Sequence, residues 1–159
     1  MIRRFGSRSS SRSRRARGQA LVEFAFVAPI FLLLLFAIID FGRYVYYVQI
    51  LNNAAREGTR YAIVHGSNSF TPAGPSPNDP KVDAVVRNYA IGVIGNAAVL
   101  DIDSVWGEPA IPPNPPPPPT NNRGSRVKVT VSYSFNSMIP IVPIPPITIN
   151  GESTLVINN

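Results

Sequence analysis

Apolar residues first gather into one unbroken block. From Ala20 to Ile39 every residue is apolar except Glu23, and Phe24 to Ile39 carries no charge. About 20 residues in a helix rise roughly 30 Å, the thickness of a hydrocarbon core. After Asp40 the apolar positions recur at threes and fours. Tyr44, Val48, Leu51, Ala55 and Gly58 make an amphipathic stripe. Beside it Ala54, Gly58 and Ala62 form a small-residue row at i, i+4 and i+8, a pattern that lets another helix approach closely. The spacing predicts one helix over 19–64, about 46 residues and roughly 70 Å long. A helix of that length cannot bury itself in a small domain from end to end. Tyr44, Tyr46 and Tyr47 suit either an interfacial aromatic belt or ordinary amphipathic packing.

The rest of the chain switches between periods. Gly66 to Pro77 is rich in Gly, Ser, Asn and Pro and reads as a loop. Asp79-Pro80 supplies an N-cap and a proline at the first helical position, Val82, Val85, Val86, Tyr89, Val93 and Ile94 follow at helical spacing, and Gly95 is placed to end the helix. Ala98 to Trp106 reads as a strand with Leu100, Ile102 and Trp106 on one face and Asp101 and Asp103 on the other. Arg126 to Phe135 alternates Val127, Val129, Val131, Tyr133 and Phe135 with polar residues, the clearest strand in the chain. Ile147 to Ile157 reads as a final antiparallel strand, broken or bulged near Asn150-Gly151. Between these strands, Pro112 to Pro119 is expected to form a polyproline II spacer. Met138 to Pro146 is apolar but too rich in proline for a regular helix or a central strand. Its isoleucines would cover the sheet or form a tip touching membrane or a partner.

These elements predict an α+β fold: a long N-terminal membrane-spanning helix, then a small domain of one helix and about three antiparallel strands. The organisation is a basic, disordered leader at 1–18, the long helix at 19–64 with its span at about 20–39, a linker at 65–80, and an exported domain at 81–159 with a proline-rich loop at 107–120.

Charge sharpens this picture. The chain has 15 Lys and Arg against 9 Asp and Glu. Arg3, Arg4, Arg8, Arg12, Arg14, Arg15 and Arg17 all precede Gly18, among serines and no acids. The remainder is close to neutral, so the basic balance belongs to the leader. An Arg-Ser tail can bind RNA. Placed directly before an apolar span, it also holds that end of the chain in the cytoplasm, and this role needs no nucleic acid partner. The chain has no cysteine, which excludes disulfides and thiolate metal sites, and its lone His65 makes no histidine cluster. Asp101 and Asp103 are too few for a calcium cage. No G-x-S-x-G elbow, Walker loop or H-E-x-x-H occurs. The expectation is a protein that is not an enzyme and uses no cofactor.

Chemistry concentrates at the leader–span junction, Arg17-Gly18-Gln19-Ala20-Leu21-Val22-Glu23-Phe24. A cleaved secretory signal is disfavoured, because Asp40-Phe41-Gly42-Arg43-Tyr44 follows the apolar block where small residues would be needed. A plain single-pass anchor, belonging to an uncleaved surface or sensory protein, accounts for everything except Gly18 and Glu23 together. A carboxylate inside a span is costly and usually has a partner. Cleavage after Gly18 would free an amino group on Gln19, one helical turn from Glu23, where cation and carboxylate can pair.

The junction, together with Asp40-Phe41-Gly42-Arg43 and Asn53-Ala54-Ala55-Arg56-Glu57-Gly58-Thr59-Arg60-Tyr61-Ala62, resembles the TadE-like family, pseudopilin-type proteins of the tight-adherence (Tad) pilus machinery. The resemblance covers about 15–64. It implies that Gly18 is the last leader residue, that Glu23 is the acid of the processing motif, and that Phe24 stands where the family often has tyrosine. It marks Asp40, Gly42, Arg43, Arg56, Glu57 and Arg60 as motif residues. The implied partners are the membrane, a prepilin peptidase, other pilins or pseudopilins and Tad assembly proteins. The implied location is the inner membrane, crossed once, with the C-terminal domain exported.

Overall fold

The computed structural model describes residues 11–107, 119–138 and 145–158, with side chains from Gly18 onward. Helix α1 runs from Ser11 to Val64, 54 residues without a break and about 80 Å long. It passes through Pro29, which removes one backbone donor. Its C-terminal end falls where the spacing predicts. Its start does not, because the helix extends into the leader expected to be disordered. Arginine is a good helix former, and an adjoining helix removes the cost of nucleation. Propagation back to Ser11 is therefore inexpensive.

The domain forms on the second half of α1. Helix α2, Pro80–Ile94, opens on the Asp79 side chain, which accepts from the Lys81 N–H at 2.8 Å, and closes on Gly95 at φ 72°. Strands β1 (Asp101–Trp106), β2 (Arg126–Phe135) and β3 (Ile147–Val156) form one antiparallel sheet in the order β1-β2-β3. Val127, Val129 and Val131 of β2 lie on the face covered by α1 and α2 and are fully buried. Burying each such side chain contributes about 1.5–3 kcal/mol. The opposite face is open and polar, with Lys128 and Glu152 paired at 2.7 Å. The architecture is α+β, two layers thick, attached to a helix that outruns it.

Two expectations need correction. The strand expected from Ala98 starts at Asp101, because Asn96 caps a short 3-10 turn over Ala97–Val99. No break occurs at Asn150-Gly151: the register runs continuously through Ser132↔Asn150, Val131↔Gly151 and Thr130↔Glu152. Gly151 is there for another reason, since a Cβ at that position would run into the backbone of Leu51 and Asn52. Glycine lets helix and strand touch main chain to main chain. The loop between α1 and α2 is strapped across the core. Ala73 N–H donates to the His65 carbonyl at 2.7 Å, Asn121 Nδ2 donates to the Ala73 carbonyl at 2.9 Å, and Gly74 at φ 73° lies against the Trp106 ring.

The polyproline spacer falls almost wholly outside the described residues, as does most of the apolar segment between Met138 and Pro146.

Candidate functional site

Among the described residues, nothing buries the most apolar stretch of α1. Its most apolar 18-residue window is 0% buried, and Phe24, Phe26, Ile30 and Leu34 all point outward. By length and composition this is a helix able to cross a membrane. Gly18, Gln19, Glu23 and Phe24 are exposed at its beginning, and a Cβ on Gly18 would meet nothing within 4 Å. Gln19 and Glu23 share a helix face, four residues apart.

At the other end of the span the chain closes on itself. Asp40, only 7% exposed, accepts hydrogen bonds from three groups. These are the Arg43 guanidinium at 2.9 Å, the Ser137 hydroxyl, and the backbone N–H of Met138 at 2.9 Å. The Ser137 hydrogen bond does most to hold the Asp40 carboxyl below its ordinary value; partial burial opposes it, and the Met138 N–H and Arg43 reinforce it. Arg43 is itself fixed by aromatic faces. Its guanidinium carbon lies 5.2 Å from the Phe135 ring centre and 5.8 Å from that of Tyr47. Phe135 also meets Tyr44 edge-on at 5.9 Å. Two motif residues, Asp40 and Arg43, are thus a clasp between the end of the span and the end of β2. Gly42 faces open space.

The third motif divides between two environments. Ala54 and Ala62 are fully buried, and Gly58 abuts Val82 and Val86 of α2 and Val129 of β2. The small-residue row therefore serves close helix approach within the chain. Between its members Thr59 reaches Ser153 Oγ at 2.8 Å and ties α1 to β3. Arg56 and Arg60 face outward. Glu57, one turn before Arg60, makes no ion pair with it among the described residues.

The remaining candidates stay apart. Asp101 and Asp103 project from the open sheet face. Among the described residues no group of three His, Cys, Asp or Glu could hold a metal ion. His65 stacks on Tyr61 with 4.0 Å between ring centres, just past the end of α1.

Sequence reasoning missed the partners of Asp40 and the role of Gly151. Each had a local signal, an acid ending an apolar run and a glycine inside a strand. Neither signal names the distant residue that completes it.

The described fold is that of a small α+β domain carried on one apolar helix that fits a single-pass membrane anchor. In its N-terminal part, residues 18–60 match the family model described as TadE-like protein, a stretch that contains Asp40-Phe41-Gly42-Arg43 and most of the other two motifs. No curated protein and no solved structure matches the chain.

Proposed function

We propose that this chain is a non-catalytic, pseudopilin-like component of a Tad-type pilus assembly or secretion apparatus, processed after Gly18 by a prepilin peptidase. The observation that carries the reading is the TadE-like match, which begins at Gly18 and takes in Glu23. The leader arginines hold the N-terminus in the cytoplasm, and the domain is exported across the inner membrane. After cleavage the new amino group of Gln19 pairs with Glu23, within a chain or between neighbouring pilins or pseudopilins.

A second reading, an uncleaved single-pass surface or sensory protein, draws on the unbroken helix from Ser11 through Gly18. Intact mass and terminal peptide mapping of the membrane-fraction protein, with and without the peptidase, separates the two. A peptidase-dependent start at Gln19 supports processing. A leader retained in cells with active peptidase replaces it with the permanent anchor.

A further inference from the structure

The clasp sets the depth of one part of the domain. Asp40 is the first residue after the apolar block, and an ionised carboxylate does not enter hydrocarbon without a large cost. Because it accepts from the Met138 N–H at 2.9 Å, Met138 lies at the level where the span ends. Ile147, the first residue of β3, reaches the same level by a different route. It lines an apolar groove of about 310 Å³ with Ala37, Phe41, Tyr44 and Phe135, and Ala37 is inside the span. The groove is continuous with the lipid-facing surface of α1.

Around it the domain turns apolar side chains outward: Phe41 is 68% exposed, Met138 62% and Ile147 47%. The sequence from Met138 to Ile147 has no charged residue. The nearest charges, on Asp40 and Arg43, are paired with each other. In water such a patch is unfavourable and marks a binding surface. Tyr44 and Tyr46 follow one turn further on, where an interfacial aromatic belt belongs.

We propose that Phe41, Met138 and Ile147 form a second lipid contact, so that the base of the folded domain rests in the interfacial layer of the bilayer. The occupant of the groove is phospholipid, entering from the side already open to the span. This goes beyond the Tad reading and depends only on the apolar helix lying in a bilayer.

The absence of native cysteine permits clean single-site labelling. The full chain is reconstituted in phosphatidylethanolamine–phosphatidylglycerol vesicles, with an environment-sensitive fluorophore on Met138→Cys, Ile147→Cys, Leu34→Cys or Phe70→Cys in turn. Met138 joins the clasp through its backbone, so the substitution spares the hydrogen bond to Asp40. Lipid-borne nitroxides are expected to quench the probes at 34, 138 and 147 and to leave the probe on the fully exposed Phe70 site unchanged. Aqueous iodide is expected to do the reverse. Three results overturn the proposal. Probes at 138 and 147 quenched by iodide lie in water. Probes shielded from both quenchers are covered by protein, such as a second copy. An unquenched probe at 34 removes the span, and the proposal with it.

Discussion

The Asp40 carboxylate accepts the backbone N–H of Met138 at 2.9 Å, across 98 residues of sequence. One acid at the end of the apolar helix thereby fixes where the chain leaves β2. Asp40→Ala leaves the Met138 N–H and the Ser137 hydroxyl without their acceptor and Arg43 without its carboxylate. The expected result is a melting temperature lower by a few degrees in detergent and faster proteolysis just after β2. Equal melting and cleavage in the variant would remove the clasp as a stabilising element.

The clasp has a defined pH dependence. Asp40 is held below its ordinary value of 3.8 in the folded protein, so its contribution is complete above that value. It falls as the pH drops through the lower, folded value. The stability gap between wild type and Asp40→Asn is expected to stay level from neutral pH to about pH 5 and to narrow only below 3.8. Thermal melts across that range check it. A gap that closes near neutral pH would contradict the assignment.

Two glycines pack α1, and they differ in what a methyl group would strike. At Gly151 it meets the main chain of Leu51 and Asn52, which cannot yield; at Gly58 it lies 2.6 Å from a methyl of the buried Val86, a side chain that has to shift but is not main chain. Gly58→Ala also gains about 1 kcal/mol of helix propensity. Gly151→Ala is expected to lose about 1–3 kcal/mol or more, typical of an overpacked core. Denaturant melts of the two variants should place Gly58→Ala much nearer wild type.

Glu23→Ala is expected to leave insertion into the membrane intact and to impair assembly, because the turn from Gln19 to Glu23 then lacks its carboxylate. Normal piliation by this variant would count against the pairing. Gly18 replaced by a bulky residue should abolish the shift in mature mass.

What the sequence disclosed was governed by range. The end of α1 at Val64, the Asp79-Pro80 start and Gly95 stop of α2, and the alternation of β2 depend on neighbours a few residues away. Such signals survive in a linear reading. Gly151 was read as a local irregularity because glycine usually weakens a strand, whereas its reason lies on α1, 100 residues earlier. The span boundary at Asp40 was legible. Its partners Ser137 and Met138 were not, since nothing about a serine and a methionine after a strand points to a helix. The leader was read from composition alone, which carries no information on whether a neighbouring helix will recruit it.

Because α1 is continuous and the domain is built onto its upper half, span and domain behave as a single lever with the bilayer as fulcrum. Val64 stands about 36 Å along the axis from Asp40. Spanning helices tilt by about 20° on average, which would swing that end sideways by roughly 12 Å. A tug on the domain therefore reaches the buried helix as torque, and a small change in bilayer thickness reappears, magnified, at the far end.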